Sequence, residues 1–433
     1  MKKLLIILLS FTAFLFSQEV FVLNGLGRTV SRINMESGEV ENNIFTTGDI
    51  PNSILSNSNW VIVVNSGTHS LTLGDRSNFS KTENIILGEN LNPWDGFVYN
   101  DSIVFITNWS DNSIYAVNLN KKTVAAKINT GKNPEGIIVD TDKIFVTTVN
   151  YNTSTWTYGK GYVYVYSITD YSLIDSIEVG INPQAIAKGL DGKLHILCTG
   201  DYFQTFGQVF ILDPVSLKKD TTLYFGGSPG SIAVSSNGVA YIAAGGWEYA
   251  GDTYGYIYKY DTKSHEIYRN HENPIKTHRG VMDIAVDADG NFYAACFEED
   301  YVDVGRDSVE KSFLVGDGPQ SIIVINEETT NSIFVSQVNN LTTLEVPGNF
   351  PNPFNCSTTI PIKITEGSRI EINIYNLLGK QVKTLYNGYL PKGYYKFTWN
   401  GTDTRGHELP TGIYLYRVKT EAGTISKRMI LLK

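Results

Sequence analysis

Aromatic and acidic side chains recur together in a set of segments that separate apolar runs of the sequence. Aromatic rings offer rigid apolar platforms, and carboxylates accept hydrogen bonds from hydroxyl groups or attract cations. We expect these segments to share one face that binds a glycan, a peptide or a cation; alternatively, the rings cover neighbouring elements and the acids keep the surface soluble. The candidate residues are Trp109, Asp111, Trp156, Tyr158, Asp201, Tyr202, Phe203, Trp247, Glu248, Tyr249, Asp252, Glu298, Glu299 and Tyr301.

Signatures of catalysis or cofactor binding are missing from the sequence. It has no nucleophile elbow, phosphate-binding loop, dinucleotide-binding loop or zinc-protease motif. His265, His271 and His278 cluster in the sequence, but their spacing fits no established metal motif, and we expect exposed histidines. The segment DADGN (287–291) resembles the start of a calcium loop, yet its pattern is that of a hairpin turn. We therefore predict no catalytic residue, cofactor or metal site.

A repeat of 40 to 50 residues organises most of the chain. Six units begin with a Pro that an apolar run follows, and in five of them a polar or small residue precedes the Pro. In the unit HRGVMDIAV, which has no Pro, Arg279 takes its place. The prolines are Pro51, Pro93, Pro134, Pro183, Pro229 and Pro319. Together with the unit that has Arg279, they predict seven units.

Each unit holds four short apolar runs separated by turn residues, as after Pro93 in GFVYN, SIVFITN, SIYAVNL and VAAKINTG. Four strands per 40 to 50 residues are typical of a β-propeller blade. The loops between the second and third strands would then emerge together around a central channel, and these loops carry the candidate face. The chain starts with three runs, and QSIIVIN after Pro319 supplies the missing first strand that closes the ring. NSIFVSQ (332–337) is a spare strand whose place stays open.

The segment 104–139, VFITNWSDNSIYAVNLNKKTVAAKINTGKNPEGIIV, resembles the YVTN-type β-propeller repeat. Phe105, Ile106, Thr107 and Asn108 stand at the signature position. The resemblance implies the superfamily of YncE-like and surface-layer propellers, which contains binding proteins and some enzymes, so it does not by itself give an activity.

The C-terminal region has a different pattern, in which strands such as RIEINIYN, YYKFTWN and IYLYRV alternate with glycines. This pattern predicts a small antiparallel β-sandwich. The region also resembles the C-terminal sorting domain of type IX secretion substrates, whose core is related to the Ig-like domain of flagellar hook-capping proteins. Cys356 stands where that family usually has Pro. The motif residues are Asn352, Pro353, Phe354, Asn355, Trp399, Gly401, Asp403, Gly406, Gly412, Tyr414 and Lys427. The resemblance implies the type IX secretion machinery as partner, passage through the outer membrane and removal of the domain.

The two ends of the chain both point to export. Lys2 and Lys3 precede an apolar run over 4–16 that is too short to span a bilayer and matches a signal peptide. No later run is long enough for a transmembrane span. The region 341–433 carries a net charge of +6 and the part before it, without the signal, −17. So acidic a module disfavours nucleic acid as a partner.

The sequence thus predicts an all-β protein, a seven-bladed β-propeller followed by a C-terminal Ig-like β-sandwich. The predicted parts are a signal peptide (1–17), the propeller (18–338), a linker (339–348) and the sorting domain (349–433). We expect a secreted or cell-surface protein that binds a ligand or partner. A secreted hydrolase or lactonase and a structural surface-layer protein are the alternatives.

Overall fold

The structure is a computed structural model that describes residues 18–245, 254–326, 344–346, 349, 354–355, 357–364, 367–376, 380–420 and 424–431. The chain divides into two compact units, Met1–Val338 and Asn339–Lys433. The predicted signal peptide and the spare strand at 332–337 lie outside the described residues.

Among its described residues, the first unit contains seven antiparallel sheets of four or five strands, numbered here in chain order, and one two-stranded hairpin. Sheet 1 begins with β1 (Gln18–Asn24), β2 (Thr29–Asn34) and β3 (Val40–Thr46). Sheet 2 comprises β4 (Pro51–Ser56), β5 (Trp60–Asn65), β6 (Ser70–Asp75) and β7 (Thr82–Ile86). Sheet 3 comprises β8 (Pro93–Asn100), β9 (Ile103–Asn108), β10 (Ser113–Asn118) and β11 (Thr123–Asn129).

Sheets 4, 5 and 6 carry longer insertions between their second and third strands, and sheet 7 does not. Sheet 4 comprises β12 (Pro134–Asp140), β13 (Lys143–Thr148), β16 (Lys160–Ser167) and β17 (Leu173–Ile181), with a hairpin of β14 (Tyr151–Asn152) and β15 (Thr157–Tyr158) between its second and third strands. Sheet 5 comprises β18 (Pro183–Lys188), β19 (Leu194–Cys198), β20 (Gln208–Leu212) and β21 (Lys219–Tyr224). Sheet 6 comprises β22 (Ser231–Val234), β23 (Val239–Ala244), β24 (Gly255–Asp261), β25 (Ile267–Arg269) and β26 (Ile275–Thr277). Sheet 7 comprises β27 (Val281–Val286), β28 (Phe292–Cys296), β29 (Tyr301–Gly305) and β30 (Val309–Leu314).

Ring closure occurs in sheet 1, as the sequence predicts. Strand β31 (Pro319–Asn326) pairs antiparallel with β1, so the last strand of the unit completes the sheet that its first three strands began. The first strands of successive sheets lie side by side from β4 to β27, and β31 lies between β27 and β4. The seven predicted repeats correspond to these seven sheets, and the predicted propeller fold is confirmed.

The hydrophobic core lies between the faces of neighbouring sheets. Phe21 and Leu23 of sheet 1, for example, pack with Ile54 and Val61 of sheet 2, and these side chains are buried. Each sheet exposes two apolar faces, so it needs a neighbour on both sides, which a closed ring provides.

Proline marks the start of five of the seven first strands, and a register shift follows it in each of them. Such a bulge leaves a residue unpaired and turns its side chain away from the sheet. In sheet 7 the equivalent residue is Val281, which pairs with Cys296 as Pro183 pairs with Cys198. The prediction that Arg279 takes this place is therefore wrong by two residues, because without a Pro the spacing alone could not fix the register.

The second unit is a β-sandwich of two sheets. Its strands are β32 (Leu344–Glu345), β33 (Thr358–Ile364), β34 (Ser368–Asn376), β35 (Gln381–Leu390), β36 (Gly393–Trp399), β37 (Gly412–Lys419) and β38 (Thr424–Leu431). One sheet has the order β32-β33-β36 and the other β35-β34-β37-β38. The sandwich starts earlier than the predicted boundary at residue 349, because β32 pairs with β33 and the adjacent Val346 is buried in the core.

Most of the described sorting-motif residues have a role in this sandwich. The rings of Phe354 and Tyr414 contact the buried ring of Trp399, with centroid distances of 5.5 and 5.1 Å. Asp403 accepts hydrogen bonds from two backbone N–H groups of its turn, and Gly406 has a φ of 85° there. The other described members are Asn355, which is exposed, Gly401, which has a positive φ, Gly412, which begins β37, and Lys427, which lies in β38. Asn352 and Pro353 lie outside the described residues.

Two further features of the described chain concern cysteines and membrane spans. Cys198 and Cys296 are buried free thiols, which fits a core that needs no disulfide framework. Within the described part of the chain, no helix qualifies as a membrane span.

Ring closure by β31 can be tested with two truncations. A chain that ends at residue 338 keeps β31 and should retain one cooperative thermal unfolding transition of the propeller. A chain that ends at residue 318 loses the buried side chains of Ile322 and Ile325 and leaves the edge of β1 open. We expect this shorter chain to unfold at a much lower temperature or to aggregate, measured by circular dichroism. Equal thermal stability of the two truncated chains would contradict the closure.

Candidate functional site at the channel mouth

A cavity of about 550 Å³ opens at the end of the central channel where the first strands begin. All seven sheets contribute to it, mainly through the two residues that follow each proline or its equivalent. Loops between second and third strands add Tyr202, Phe297 and Glu298. The residues from the first strands that line the cavity include Asn52, Ser53, Trp94, Asp95, Glu135, Gln184, Ala185, Gly230, Ser231, Met282, Asp283, Gln320 and Ser321. The bulges described above lie at these positions, so they account for the inward direction of the side chains.

Hydrogen bonds of Asp283 join three sheets at the cavity wall. Its carboxylate accepts bonds from the hydroxyl groups of Ser231 at 2.6 Å and Ser321 at 2.8 Å, and from the backbone N–H of Ile322 at 3.0 Å. Ser321 also accepts a bond at 3.3 Å from the backbone N–H of Ile54 in sheet 2. The polar wall of the cavity is thus also a belt that ties the closing strand to its neighbours.

Asp95 is a second carboxyl group at the cavity. Burial raises its pKa to about 6, and the nearby Asp283 carboxylate adds to the rise, although hydrogen bonds from Ser53 and the Gly96 backbone oppose it. The Ser53 hydroxyl donates to Asp95 at 2.8 Å. This group therefore changes its protonation state close to neutral pH.

Glu135 is the most deeply buried carboxyl group of the cavity, with only 4% of its surface exposed. The indole N–H of Trp109 donates to its Oε1 at 3.3 Å, and Oε2 has no hydrogen-bond partner among the described residues. Burial raises the pKa of Glu135 to about 8; the Trp109 bond opposes the rise and the Asp95 carboxylate adds to it. At neutral pH without a ligand, Glu135 is therefore mostly protonated.

A row of aromatic rings leads from Glu135 along three loops of the same face. Ring centroids are 6.2 Å apart for Trp109 and Tyr151, 4.9 Å for Tyr151 and Tyr158, and 6.1 Å for Tyr158 and Tyr202. Trp109, Tyr158 and Tyr202 come from sheets 3, 4 and 5, so the structure brings these three candidates together. Tyr151, at the start of the hairpin, joins them.

Other candidates from the sequence lie outside the cavity lining. Asp111 forms an ion pair with Lys127 at 2.9 Å, and Asp201 caps backbone N–H groups of its own loop. Glu299 accepts a bond from the backbone N–H of Arg279, and Tyr301 stacks on His278 with a centroid distance of 4.1 Å. Trp156 and Phe203 are highly exposed. Of the acidic loop candidates, Glu298 lines the cavity and lies 3.5 Å from the Arg279 guanidinium. Trp247, Glu248, Tyr249 and Asp252 lie outside the described residues.

The three histidines of the sequence cluster are not brought together. His271 contacts the Phe225 carbonyl at 2.8 Å, His278 contacts Asp303 at 2.8 Å, and His265 contacts Asp191 at 3.0 Å. The segment 287–291 is a hairpin turn, in which Asp287 accepts a bond from the backbone N–H of Asn291. The expectation of a turn rather than a calcium loop agrees with this geometry.

Sequence reasoning missed Asp95, Glu135 and Asp283. A signal was present, because each follows the repeat proline or its equivalent within two residues. At these positions polar side chains interrupt strands that are otherwise apolar. The sequence alone does not show that these residues lie close together, because only the closed ring turns the corresponding positions of all seven sheets toward one channel.

Comparisons with known proteins agree with this architecture. Residues 355–424 match the FlgD Ig-like domain family. No curated protein sequence matches the chain.

Several solved structures are similar in fold. Hydrazine synthase of Kuenenia stuttgartiensis has a TM-score of 0.53 at 14% identity, covering 64% of this chain and 95% of that chain. A streptogramin B lyase has a TM-score of 0.49 at 12% identity, covering 63% of this chain and 86% of that chain. Virginiamycin B lyase from Staphylococcus aureus has a TM-score of 0.49 at 15% identity, covering 64% of this chain and 88% of that chain. At such identities a similarity concerns the fold alone.

The raised pKa of Glu135 predicts a specific pH dependence of stability. Its pKa of about 8 in the folded protein lies above the usual value of 4.5, so the folded protein holds this proton more tightly than the unfolded chain. The stabilisation is complete below pH 4.5 and is lost as the pH rises through 8. Relative to Glu135→Gln, the wild-type free energy of unfolding should fall by up to about 1.4 kcal/mol per pH unit in this range.

Urea unfolding of both proteins across this pH range measures the difference, with Glu89→Gln at an exposed position as the reference variant. A wild-type curve parallel to that of Glu135→Gln would mean that Glu135 is ionised in the folded protein throughout.

Proposed function

We propose that the channel mouth binds a small organic cation. The observation that carries this proposal is the buried Glu135, whose Oε2 lacks a partner in the described structure while it lines a cavity of about 550 Å³. A cavity of this volume is typical of small-molecule sites. A cationic group placed beside Oε2 would supply the missing charge and hydrogen bonds and would favour the ionised carboxylate.

The rest of the lining supports the same ligand class. Asp95 and Asp283 add acidic groups, Glu298 is already paired with Arg279, and no Lys, Arg or His is among the lining residues of the cavity. Trp94, Tyr202 and Phe297 offer aromatic faces that attract cations. Within the described residues, the mouth carboxylates do not place three oxygen atoms close enough to share one metal ion. An extended cation with an organic body suits this spacing.

Binding can be tested by calorimetry with amine probes and neutral probes of the same length. We expect cadaverine to bind and pentanediol not to bind, and trilysine to bind better than its fully acetylated form. Glu135→Gln and Asp95→Asn should each weaken cadaverine binding at least about tenfold, because each removes a carboxylate from the site. Asp142→Asn serves as the control, since Asp142 is exposed in the turn after β12, at the opposite end of the strands.

The affinity should also depend on pH. Cadaverine stays charged above the pKa of about 8 of Glu135, and its binding releases the Glu135 proton, so the affinity should rise between pH 6 and pH 8 and then level off. Equal binding of diamine and diol, or an affinity that falls over this pH range, would contradict the proposal.

Acid–base catalysis at the same mouth is a second candidate function. Asp95 and Glu135 have pKa values of about 6 and about 8, and carboxyl groups poised near neutral pH are suited to donate and accept protons. A secreted hydrolase or lactonase would use them in this way. Turnover of lactone substrates that is lost in Asp95→Asn would favour an enzyme over a binding protein.

We further propose that the protein is exported and works outside the cell. The apolar run over 4–16 after two lysines, the sorting-domain motifs and the opposite net charges of the two modules support this proposal. The matched Ig-like family is compatible with the domain that the motifs resemble.

Two engineered chains, expressed in a bacterium with a type IX secretion system, would test the export route. Removal of 341–433 should leave the propeller in the periplasm. A reporter that carries the signal peptide and residues 339–433 should reach the cell surface without the propeller. Surface delivery of the truncated propeller, or a mature extracellular protein that still ends at Lys433, would contradict the proposed address.

A further inference from the structure

A second polar cluster lies at the opposite ends of the strands, between sheets 5 and 6. Asp191 is in the turn between β18 and β19, and His195 is the second residue of β19. His265 is in the turn between β24 and β25 of the neighbouring sheet. One potential ligand atom from each residue lies within 4.8 Å of the other two.

The two histidine–aspartate distances in this cluster are close to those between neighbouring ligands of one tetrahedral metal ion, and the three ligand atoms lie within 4.8 Å of one another. Asp191 Oδ1 lies 3.2 Å from His195 Nε2, and Asp191 Oδ2 lies 3.0 Å from His265 Nε2. Ligand atoms at the usual zinc distances are about 3.3 Å apart along a tetrahedral edge. Both histidines thus present the same ring nitrogen toward one carboxylate.

The surroundings hold His195 in the orientation that a ligand requires. Its ring is completely buried, and its other nitrogen, Nδ1, lies 2.8 Å from the Tyr260 hydroxyl oxygen. Metal-binding histidines generally donate a hydrogen bond from the nitrogen that does not touch the metal, and the Tyr260 oxygen can accept such a bond. Gly189 keeps the space beside Nε2 free, because a Cβ at this position would lie 2.2 Å from that atom.

We propose that Asp191, His195 and His265 bind one divalent transition-metal ion of the zinc type. Two imidazole nitrogens and a carboxylate oxygen are a donor set that zinc accepts, and water would occupy the fourth position. The side chains of His265 and Asp191 remain 21% and 10% exposed, so an ion can enter from this side. In the bound form His195 carries its proton on Nδ1, and this N–H donates a hydrogen bond to the Tyr260 oxygen.

Such an ion would link sheets 5 and 6 near the rim of the propeller. The Thr262 hydroxyl already accepts a bond at 2.9 Å from the backbone N–H of Leu190, so the two turns are held together beside the site. The ion would replace two histidine–aspartate hydrogen bonds with coordination bonds to the same three side chains. This site is separate from the channel mouth and does not depend on the function proposed for it.

Metal titration of the tag-free, full-length protein tests the proposal. We expect one Zn²⁺ per chain by calorimetry and elemental analysis, and an intense visible absorption of tetrahedral type when Co²⁺ is added instead. His265→Gln should weaken Zn²⁺ binding at least about tenfold and remove the Co²⁺ absorption. This partly exposed position is preferable to the buried His195, whose replacement could unfold the protein; circular dichroism checks the fold of each variant.

Two controls separate this site from other places where zinc could bind. His407 lies beside Asp403 at 3.3 Å in the C-terminal unit, so His407→Gln removes an exposed histidine–aspartate pair and should leave Zn²⁺ binding unchanged. Glu135→Gln at the channel mouth should also leave it unchanged. No saturable binding of either metal ion, equal Zn²⁺ binding by His265→Gln and wild type, or loss of binding in Glu135→Gln instead would overturn the proposal.

Discussion

The pairing of β31 with β1 is the interaction on which the rest of the propeller depends. It joins the last strand of the unit to the first, so every sheet gains a neighbour on both faces and no first strand is left at an open end. The channel mouth exists only in this closed arrangement, because β31 supplies Gln320 and Ser321 to its wall. Ser321 in turn bonds to Asp283 and to the backbone of Ile54, so it lies where the seventh, first and second sheets meet. The same strand therefore closes the ring and completes the wall of the cavity.

The repeat position explains how a fold built for apolar packing forms a polar cavity. Proline and the bulge after it interrupt the ladder at the start of most first strands, and the residues that follow are turned toward the channel. These side chains can be polar, because they face the channel. The other side chains of the strand are buried between sheets and must be apolar. At Gly136, which lies two residues after Pro134, no side chain fits. A Cβ there would lie 2.7 Å from the backbone oxygen of Gln184, because sheets 4 and 5 approach closely at this point. The bulge positions can thus vary in chemistry while the ring stays the same.

The sequence was sufficient for the fold and insufficient for the site, for physical reasons. The number of sheets and the closing strand follow from local features, namely proline spacing, turn residues and runs of four to eight residues that must bury both faces. Arg279 was misplaced because the unit without Pro has no such local mark. Glu135 and Asp95 looked like single polar residues in apolar strands, and only the ring brings them to one mouth. His195 and His265 belong to different sheets, so no spacing rule could have paired them. In contrast, Tyr158 and Tyr202 were found because the loops that carry them are long enough to be recognised as insertions, and Trp109 was found because its shorter loop occupies the same place in the repeat.

Several residues of the sorting motif stabilise the fold of the sandwich itself. Phe354, Trp399 and Tyr414 form its aromatic core, and Asp403 with Gly406 shapes a turn. A pattern that a fold needs for its own stability does not by itself distinguish an address from a structural domain. Recognition by a secretion machinery would instead use surface that the core does not constrain.

Glu135 is the residue of the mouth whose surroundings the proposed cation binding would explain. Protonated Glu135 has one weak donor and one oxygen without a partner among the described residues, and ionising it in this buried position costs free energy. Asp95 increases this cost, because two carboxylates near one another cannot both ionise cheaply. A bound cation of the proposed kind would reverse both effects, because it would compensate the charge of ionised Glu135 and screen the repulsion between the two acids. The difference between the free protein and such a complex would then contribute directly to the affinity for a positively charged ligand.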